Sequence, residues 1–353
     1  MDRRELLLAG GALASGLVAR QALAQGQAAV PPVRKLQIDA YSRHLQWLRD
    51  PVEVAKAVLE MGYEGLDVTV RPYPGHVDPE KVTTDLPVFV KAVRAQGVKV
   101  SSITCPITDA DSPNAERIMD AASKLDIHHY WWGTFRYDQT KPVMPQLDAL
   151  KPRIAKLAAL NAKYGMKAMY HNYSGPGMVG SAIWDLLLLM REHDPKLMGF
   201  HFDVGHATNA GGNNTWALNM RAAGPYIAGL SIKDSFLERV TPGSAPARPP
   251  GPPSGGAAQA GPPRGEGPPS DGPPYPWRVK YTPLGEGNVN LPLLAQVLKE
   301  IGFAGPTEIQ AEYPNGGADS AQDKLTLPRE VVLGAMKRDL ETLKKAWANT
   351  GLV

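Results

Sequence analysis

The chain has 353 residues, of which 43% are hydrophobic and 21% charged, so it can bury a large core as two small domains or one large barrel. Its formal net charge of +3 is small for this length and argues against a polyanion partner such as nucleic acid. Cys105 is the single cysteine, which excludes an intramolecular disulfide, and its apolar surroundings predict a buried, inert thiol.

The first 27 residues have the composition of an export signal. Arg3-Arg4 precedes an apolar run over 6–18, and Ala22-Leu23-Ala24 has the spacing of a cleavage site. This arrangement resembles a twin-arginine signal, although Asp2 stands where Ser or Thr is usual. We therefore predict a periplasmic protein with no stable membrane insertion. An ordinary secretory signal or an uncleaved anchor is the alternative.

Strand and helix patterns alternate along the rest of the chain. Asp50-Pro51, for example, supplies an N-cap and a proline at the first helical position, and Gly62 ends that helix. The predicted strands are 36–41, 64–70, 98–103, 127–132, 166–171, 199–203, 226–232 and 306–311. The predicted helices are 51–61, 79–96, 113–125, 147–164, 181–192, 214–223, 291–301 and 327–347.

This alternation predicts an α/β fold, a single (β/α)8 TIM barrel over residues 33–349. A doubly wound dinucleotide-binding sheet is disfavoured because no glycine fingerprint follows the first strand. Residues 241–276, after the seventh strand, consist mainly of Pro, Gly, Ser and Ala and cannot bury enough surface to order themselves. We interpret them as a low-complexity insertion; a solvated spacer and a lid or partner contact are the two alternatives.

Polar residues capable of catalysis or metal binding stand where the predicted strands end. Because the carboxyl ends of all barrel strands meet at one face, we expect them to converge there. An acid and an imidazole together suit a divalent metal of intermediate hardness, whereas the simpler interpretation of Asp203 is a helix or turn cap. The strand-end residues are His44, Asp67, Arg71, His76, His171, Asn172, Tyr173, Asp203, His206, Ser231, Lys233, Asp234, Glu308 and Glu312.

Five sequence segments in this order resemble the sugar phosphate isomerase/epimerase superfamily, the xylose isomerase-like barrels, over roughly residues 36–345. They are YHNYSG at 170–175, GFHFDVGHATNAG at 199–211, LSIKDS at 230–235, LGEGNVNLPLL at 284–294 and EIQAEYPNGG at 308–317. The segment DVTVRPYPGHVDPE at 67–80 is similar to exported members of this superfamily.

The resemblance implies one divalent metal ion (Mn, Zn, Co or Mg) held by side chains from strands five to eight. Matched by position, the ligands are His171, where the family commonly has Glu, then Asp203 and Glu312. Ser231 occupies the strand-seven position that usually carries a histidine ligand. Three alternatives follow: the site keeps three protein ligands, recruits His206 or His201, or binds metal weakly.

The resemblance also implies proton abstraction beside a carbonyl through an enediolate. Glu312 is the expected base, with His171 and Lys233 as further catalytic groups. His171 in place of a carboxylate favours isomerisation or a dehydratase-type β-elimination over symmetrical epimerisation. The predicted substrate-binding residues, for a sugar or polyol-like molecule, are His206, His76, Arg71, Asp67 and Trp132, the last together with its neighbour Trp131.

Two other function classes remain alternatives to an isomerase, epimerase or lyase. A non-catalytic sugar-binding barrel is favoured by the Ser231 departure. An endonuclease on the same type of barrel is disfavoured by the near-neutral charge, the export signal and too few strand-end ligands. The sequence leaves open the sugar, the metal and the oligomeric state.

Overall fold

Eight parallel strands close into a barrel in the computed structural model, which describes residues 33–212, 214–239 and 277–353. The barrel order is β1-β10-β7-β6-β5-β4-β3-β2. These strands are β1 (Ile38–Tyr41), β2 (Gly65–Thr69), β3 (Lys99–Thr104), β4 (His129–Trp132), β5 (Lys167–His171), β6 (Met198–Asp203), β7 (Ile227–Ile232) and β10 (Thr307–Ile309). An antiparallel ribbon of β8 (Asp234–Arg239) and β9 (Trp277–Thr282) extends from the end of β7.

The helices follow the strands as the alternation predicts, and the (β/α)8 barrel is confirmed. Asp50 accepts a hydrogen bond from Val52 N at 2.9 Å, and Gly62 adopts a left-handed φ of 85°, so both ends of α1 are fixed locally. The helices are α1 (Pro51–Met61), α2 (Val82–Ala95), α3 (Ala115–Ser123), α4 (Val143–Tyr164), α5 (Trp184–Met190), α6 (Val204–Gly211), α7 (Thr215–Ala223), α8 (Leu291–Glu300) and α9 (Arg329–Ala346). Short 3-10 turns cover Ser42–Leu45, Pro79–Lys81 and Gly224–Tyr226.

Two elements differ from the sequence-based prediction. Helix α6 forms where a loop was expected, because the Asp203 carboxylate caps it by accepting from His206 N. The β8–β9 ribbon was also missed, since its two strands lie 37 positions apart and pair only in three dimensions. The predicted signal at 1–27 and the predicted insertion at 241–276 lie outside the described residues. Among the helices that the structure describes, none is long and apolar enough to cross a membrane.

The apolar core surrounds the barrel, whereas the barrel interior is largely polar. Most buried apolar side chains pack between strands and helices. Inside, Tyr41, Trp131, Met169 and Ala228 form a small separate cluster. Buried polar side chains fill much of the remaining interior, among them Asp39, Asp67, Ser102, Thr104, His171, His201, Asp203, Ser231, Glu308 and Gln310. Cys105 is buried as predicted, and burial raises its pKa to about 12.

One carboxylate after β7 fixes the loop beside the barrel mouth. Asp234 accepts hydrogen bonds from the backbone N–H groups of Ser235, Gly285, Gly287 and Val289 at 2.9–3.0 Å. A Cβ on Gly287 would lie 2.1 Å from Asp234 Oδ1, so glycine is required for this approach. The LGEGNV sequence is therefore shaped by Asp234, which has a structural role.

Removing this carboxylate should destabilise the protein. Asp234→Ala leaves buried N–H donors without an acceptor, and we expect the free energy of unfolding to fall by about 3 kcal/mol. Urea unfolding measures the change, with Asp111→Ala as control because the Asp111 side chain is 79% exposed. A loss no larger than that of the control would contradict the structural role of Asp234.

The polar interior should also make stability depend on pH. Burial raises the pKa of Asp39 from 3.8 to about 7, although hydrogen bonds from Ser101 and Gln37 oppose the shift. The folded state therefore binds this proton more tightly than the unfolded state, and the group destabilises the fold increasingly as pH rises from about 4 to about 7.

The Asn side chain of the Asp39→Asn variant cannot ionise, so the variant should not lose stability in this way as pH rises. Relative to wild type, the variant should gain up to about 1.4 kcal/mol per pH unit in this window, as measured by urea unfolding at several pH values. Parallel stability curves for the two proteins, like those expected of Asp111→Asn, would show that Asp39 does not titrate in this range.

Candidate active site at the barrel mouth

Four neighbouring strands bring the main polar residues together. Strands β5, β6, β7 and β10 are adjacent in the barrel, and their carboxyl ends face the same side. His171 ends β5 and Asp203 ends β6. Lys233 follows β7, and Glu312 follows β10. Residues far apart in sequence therefore share one site.

Asp203 caps a helix with one carboxylate oxygen and contacts the other polar residues of the site with the second. Its Oδ1 accepts from His206 N at 2.7 Å and caps α6. Its Oδ2 accepts from Lys233 Nζ at 2.9 Å and from Ser231 Oγ at 3.3 Å, and lies 3.4 Å from His171 Nε2. The side chain of Asn172 fixes the backbone of Asp203 through two bonds, to its carbonyl at 3.1 Å and from its N–H at 2.8 Å. The carboxylate is thus held in one orientation.

The Lys233 ammonium lies at the centre of the site, and its side chain is only 1% exposed. It donates to Asp203 Oδ2 at 2.9 Å, His206 Nε2 at 2.9 Å and Glu312 Oε2 at 3.0 Å, with Gln310 Oε1 at 3.3 Å. Burial opposes the charged form, but the carboxylates of Asp203 and Glu312 outweigh it and raise the pKa of Lys233. Lys233 is therefore a permanently charged cation at neutral pH.

Glu312 is the more accessible carboxylate, with its side chain 24% exposed. Burial would raise its pKa, yet the positive charges of Lys233 and then Arg43 lower it to about 2. Glu312 is thus ionised and free to accept a proton at neutral pH, while its pairing with Lys233 makes it a weak base.

The imidazoles of the site are neutral at pH 7. Burial and the adjacent Lys233 charge lower the pKa of His171 well below 6.5 and that of His206 to about 4. Because an ammonium can only donate, His206 Nε2 accepts and its Nδ1–H donates to Ser174 Oγ at 3.0 Å. The His171 ring stacks on Trp131 at a centroid distance of 4.2 Å and an interplanar angle of 9°.

The structure thus brings together five of the predicted site residues, namely His171, Asp203, His206, Lys233 and Glu312. The structure does not place Trp132 with these residues. Trp132 packs in the outer core against Phe135 and donates to Thr108 O, because successive strand residues point to opposite faces. Its neighbour Trp131 is the indole that faces the interior.

Two other predicted substrate-binding residues, His76 and Asp67, lie away from the Lys233 cluster. The structure does not bring His76 to the site, since its ring nitrogens contact Thr69 Oγ1 and Leu48 O. Asp67 lies on β2, across the barrel from β6, and accepts from Ser102 and Thr104 at 2.6 Å each. Arg71 is half-buried near Asp67, and its guanidinium has no hydrogen bond or ion pair within the described residues. A substrate contact of Arg71 stays a prediction.

Two residues of the site were missed in the sequence. Gln310 bridges Lys233 to Glu308, to which its Nε2 donates at 2.6 Å. The alternation of Glu308, Gln310 and Glu312 could have revealed it, because residues two apart share a strand face. Tyr281, on β9, lies over the Lys233 ammonium at 5.3 Å from the ring centroid, and no local signal indicates this contact.

The donor set suits a metal, but the cation position is already occupied. His171, Asp203 and His206 each offer one ligand atom within 4.8 Å of the others, a group that could hold a metal ion. Asp203 Oδ2 and His206 Nε2, however, accept from the Lys233 ammonium at 2.9 Å each. A divalent ion between them would face a positive charge at contact distance. The site with Lys233 in this position therefore does not fit a resident divalent metal.

Comparison with solved structures places the fold. A D-psicose 3-epimerase with D-tagatose from Clostridium cellulolyticum H10 has a TM-score of 0.57 at 12% identity, over 88% of this chain and 99% of that one. A 3-keto-D-glucoside 4-epimerase from E. coli has a TM-score of 0.56 at 12% identity, over 87% and 100%. An IolI protein with a bound zinc atom has a TM-score of 0.55 at 12% identity, over 90% and 98%.

At these identities the likeness shows the fold alone. No curated protein matches the chain. The family model described as xylose isomerase-like TIM barrel matches residues 55–331, most of the barrel. The chain therefore belongs to the xylose isomerase-like TIM barrel family.

Proposed function

We propose that the protein is a sugar isomerase or epimerase, or a lyase of the dehydratase type, that removes a proton from the carbon next to a carbonyl group. The observation that carries the proposal is the buried chain of charges from Asp203 through Lys233 to Glu312 at the mouth of the barrel. The sugar epimerases with the same fold support this reaction class.

The geometry supplies a base beside a cation. Glu312 is ionised, partly exposed and able to take a proton from a substrate carbon. The electron pair of the broken C–H bond moves towards the carbonyl oxygen, where a hydrogen bond from the Lys233 ammonium stabilises the developing negative charge. Return of the proton to the former carbonyl carbon, together with transfer of the adjacent hydroxyl proton to the former carbonyl oxygen, gives isomerisation; return to the opposite face of the original carbon gives epimerisation.

His171 decides how symmetrical this chemistry is. It stands at the end of β5 as a neutral imidazole, with Nδ1 free of hydrogen bonds within the described residues. An imidazole opposite a carboxylate makes the two proton-transfer groups unequal, which favours isomerisation or β-elimination. The divalent metal expected from the family resemblance does not fit the site while Lys233 occupies its centre, and the proton transfer above uses side chains of this chain only.

Trp131 is buried and offers no free ring face to a carbohydrate-like substrate. Its ring is covered by His171 on one side and stacks with Tyr41 at 5.1 Å, so it forms the floor of the site. Substrate polar groups would instead meet Glu312, Tyr281 and Tyr173 at the rim. The substrate class we propose is a free or oxidised sugar, since export separates the enzyme from sugar phosphates.

Solvent deuterium incorporation tests the reaction. We expect the wild-type protein to exchange a carbon-bound hydrogen of a ketose, aldose or sugar acid in heavy water, observed by NMR. Glu312→Gln should lower the exchange rate by at least about 100-fold because it removes the base. Glu116→Gln is the matched control, since Glu116 also pairs with a lysine but is 57% exposed.

A variant with Gln at position 312 that keeps the wild-type rate would remove Glu312 from its role. Binding of a sugar without any exchange would favour the non-catalytic sugar-binding barrel.

We also propose that the protein acts in the periplasm. This proposal rests only on the sequence of residues 1–27. Replacing both arginines, as in Arg3→Lys with Arg4→Lys, should retain the protein in the cytoplasm because the twin-arginine route requires the pair. Cell fractionation measures the distribution. Export that is unaffected by this double change would exclude the twin-arginine route.

A further inference from the structure

We propose that the Lys233 ammonium is the resident cation of this site and takes the place of a divalent metal. The role of the ammonium towards a substrate carbonyl oxygen rests on the proposed function. The assignment of Lys233 as the cation of the site rests only on contacts within the folded chain.

All three N–H donors of the ammonium are matched. Asp203, His206 and Glu312 accept at 2.9, 2.9 and 3.0 Å, and their side chains come from β6, α6 and the segment after β10. These are the oxygen and nitrogen lone pairs that a metal ion would use. The ammonium and a divalent ion therefore compete for the same ligands.

The path of the lysine side chain is built into the fold. A Cβ on Gly205 in α6 would lie 2.7 Å from Lys233 Cγ and 2.9 Å from the Lys233 carbonyl oxygen. Glycine at this position therefore leaves the space that the aliphatic stem occupies. The ring of Tyr281 lies over the ammonium at 5.3 Å and covers it on the ribbon side.

The strand-seven position also lacks the metal ligand that the resemblance implies. Ser231 stands where the resemblance leads us to expect a histidine ligand, and its hydroxyl donates to Asp203 Oδ2 at 3.3 Å. Ser231 and Lys233 are two residues apart and face the same side of the chain. One metal ligand is thus absent at the position from which the lysine reaches the centre.

Displacement of the ammonium would leave a buried charge without a partner. The Lys233 side chain is 1% exposed, and a metal bound to Asp203 and His206 would take two of its three acceptors. An unpaired charge in such surroundings is strongly unfavourable. Metal binding is therefore opposed both by electrostatic repulsion and by the loss of these hydrogen bonds.

The assignment gives Lys233 and Glu312 a coupled role. A substrate carbonyl oxygen would accept a hydrogen bond from the Lys233 ammonium in place of the partly exposed Glu312 carboxylate. Glu312, no longer paired, becomes the stronger base just where a C–H proton has to be removed. The proton passes to Glu312, and the electron pair is held as an enediolate oxygen hydrogen-bonded to Lys233.

Metal binding tests the assignment without reference to activity. Equilibrium dialysis of the purified full chain against Zn²⁺ or Mn²⁺ should show no stoichiometric binding at the site, and EDTA should leave the melting temperature unchanged. Lys233→Met keeps much of the stem volume but frees Asp203, His206 and Glu312. This variant should bind Zn²⁺ stoichiometrically and melt at a higher temperature when the ion is present.

Lys280→Met is the matched control, because Lys280 lies on β9 with its side chain 54% exposed and should leave metal binding unchanged. Stoichiometric metal in the wild-type protein, with a melting temperature that EDTA lowers, would overturn the assignment. If Lys233→Met does not fold, the wild-type dialysis and EDTA measurements still decide.

Failure of this inference is distinguishable from failure of the proposed function. Deuterium exchange that proceeds in EDTA supports both. Exchange that requires added Mn²⁺ or Zn²⁺ overturns the role of Lys233 and leaves the reaction class standing. An absence of exchange under both conditions overturns the proposed function, while the dialysis result still tests the cation assignment.

Discussion

A buried ammonium between two carboxylates is the constraint around which this site is arranged. Removing one partner from a buried ion pair typically costs about 3–5 kcal/mol, so the geometry of the pair must be maintained by its surroundings. Asp203 is fixed through its cap on α6 and through Asn172, while Gln310 lies within reach of the ammonium. Binding geometry and fold stability thus depend on the same contacts.

The polar interior of the barrel follows from the same arrangement. Glu308 is fully enclosed, and burial, then the nearby Asp67, raise its pKa well above its usual range. Gln310 donates to Glu308 at 2.6 Å and accepts from Lys233 at 3.3 Å, which connects this carboxyl group to the site. The protonation of Glu308 and the charge of the site are therefore connected through Gln310.

Membership in the xylose isomerase-like barrels accounts for the scaffold, and a scaffold of this kind supports many chemistries through its strand ends. Here the strand ends carry His171, Ser231 and Lys233 in a combination that places a side-chain cation among ligand-type residues. The chemistry of the site is set by these strand-end residues, whereas the barrel is shared with sugar epimerases and a protein with a bound zinc atom.

The sequence by itself determined the barrel and the face on which the site lies. Local signals such as the Asp50 cap and the Gly62 stop define the elements, and parallel strands oblige His171, Asp203 and Glu312 to end at one rim. The two-residue alternation of a strand predicts that Trp131 and Trp132 face opposite sides of β4. It does not predict which of the two faces the barrel interior. Only the structure shows that Trp131 faces the interior and Trp132 the outer core.

Only the tertiary structure decided what occupies the centre of the site. Lys233 reaches Asp203 and Glu312 because β7 lies between β6 and β10 and because Gly205 leaves room for its stem. Tyr281 reaches the same point from a ribbon whose pairing spans a long stretch of chain. These contacts join residues distant in sequence, so their distances and charges follow from packing and cannot be obtained from any local pattern.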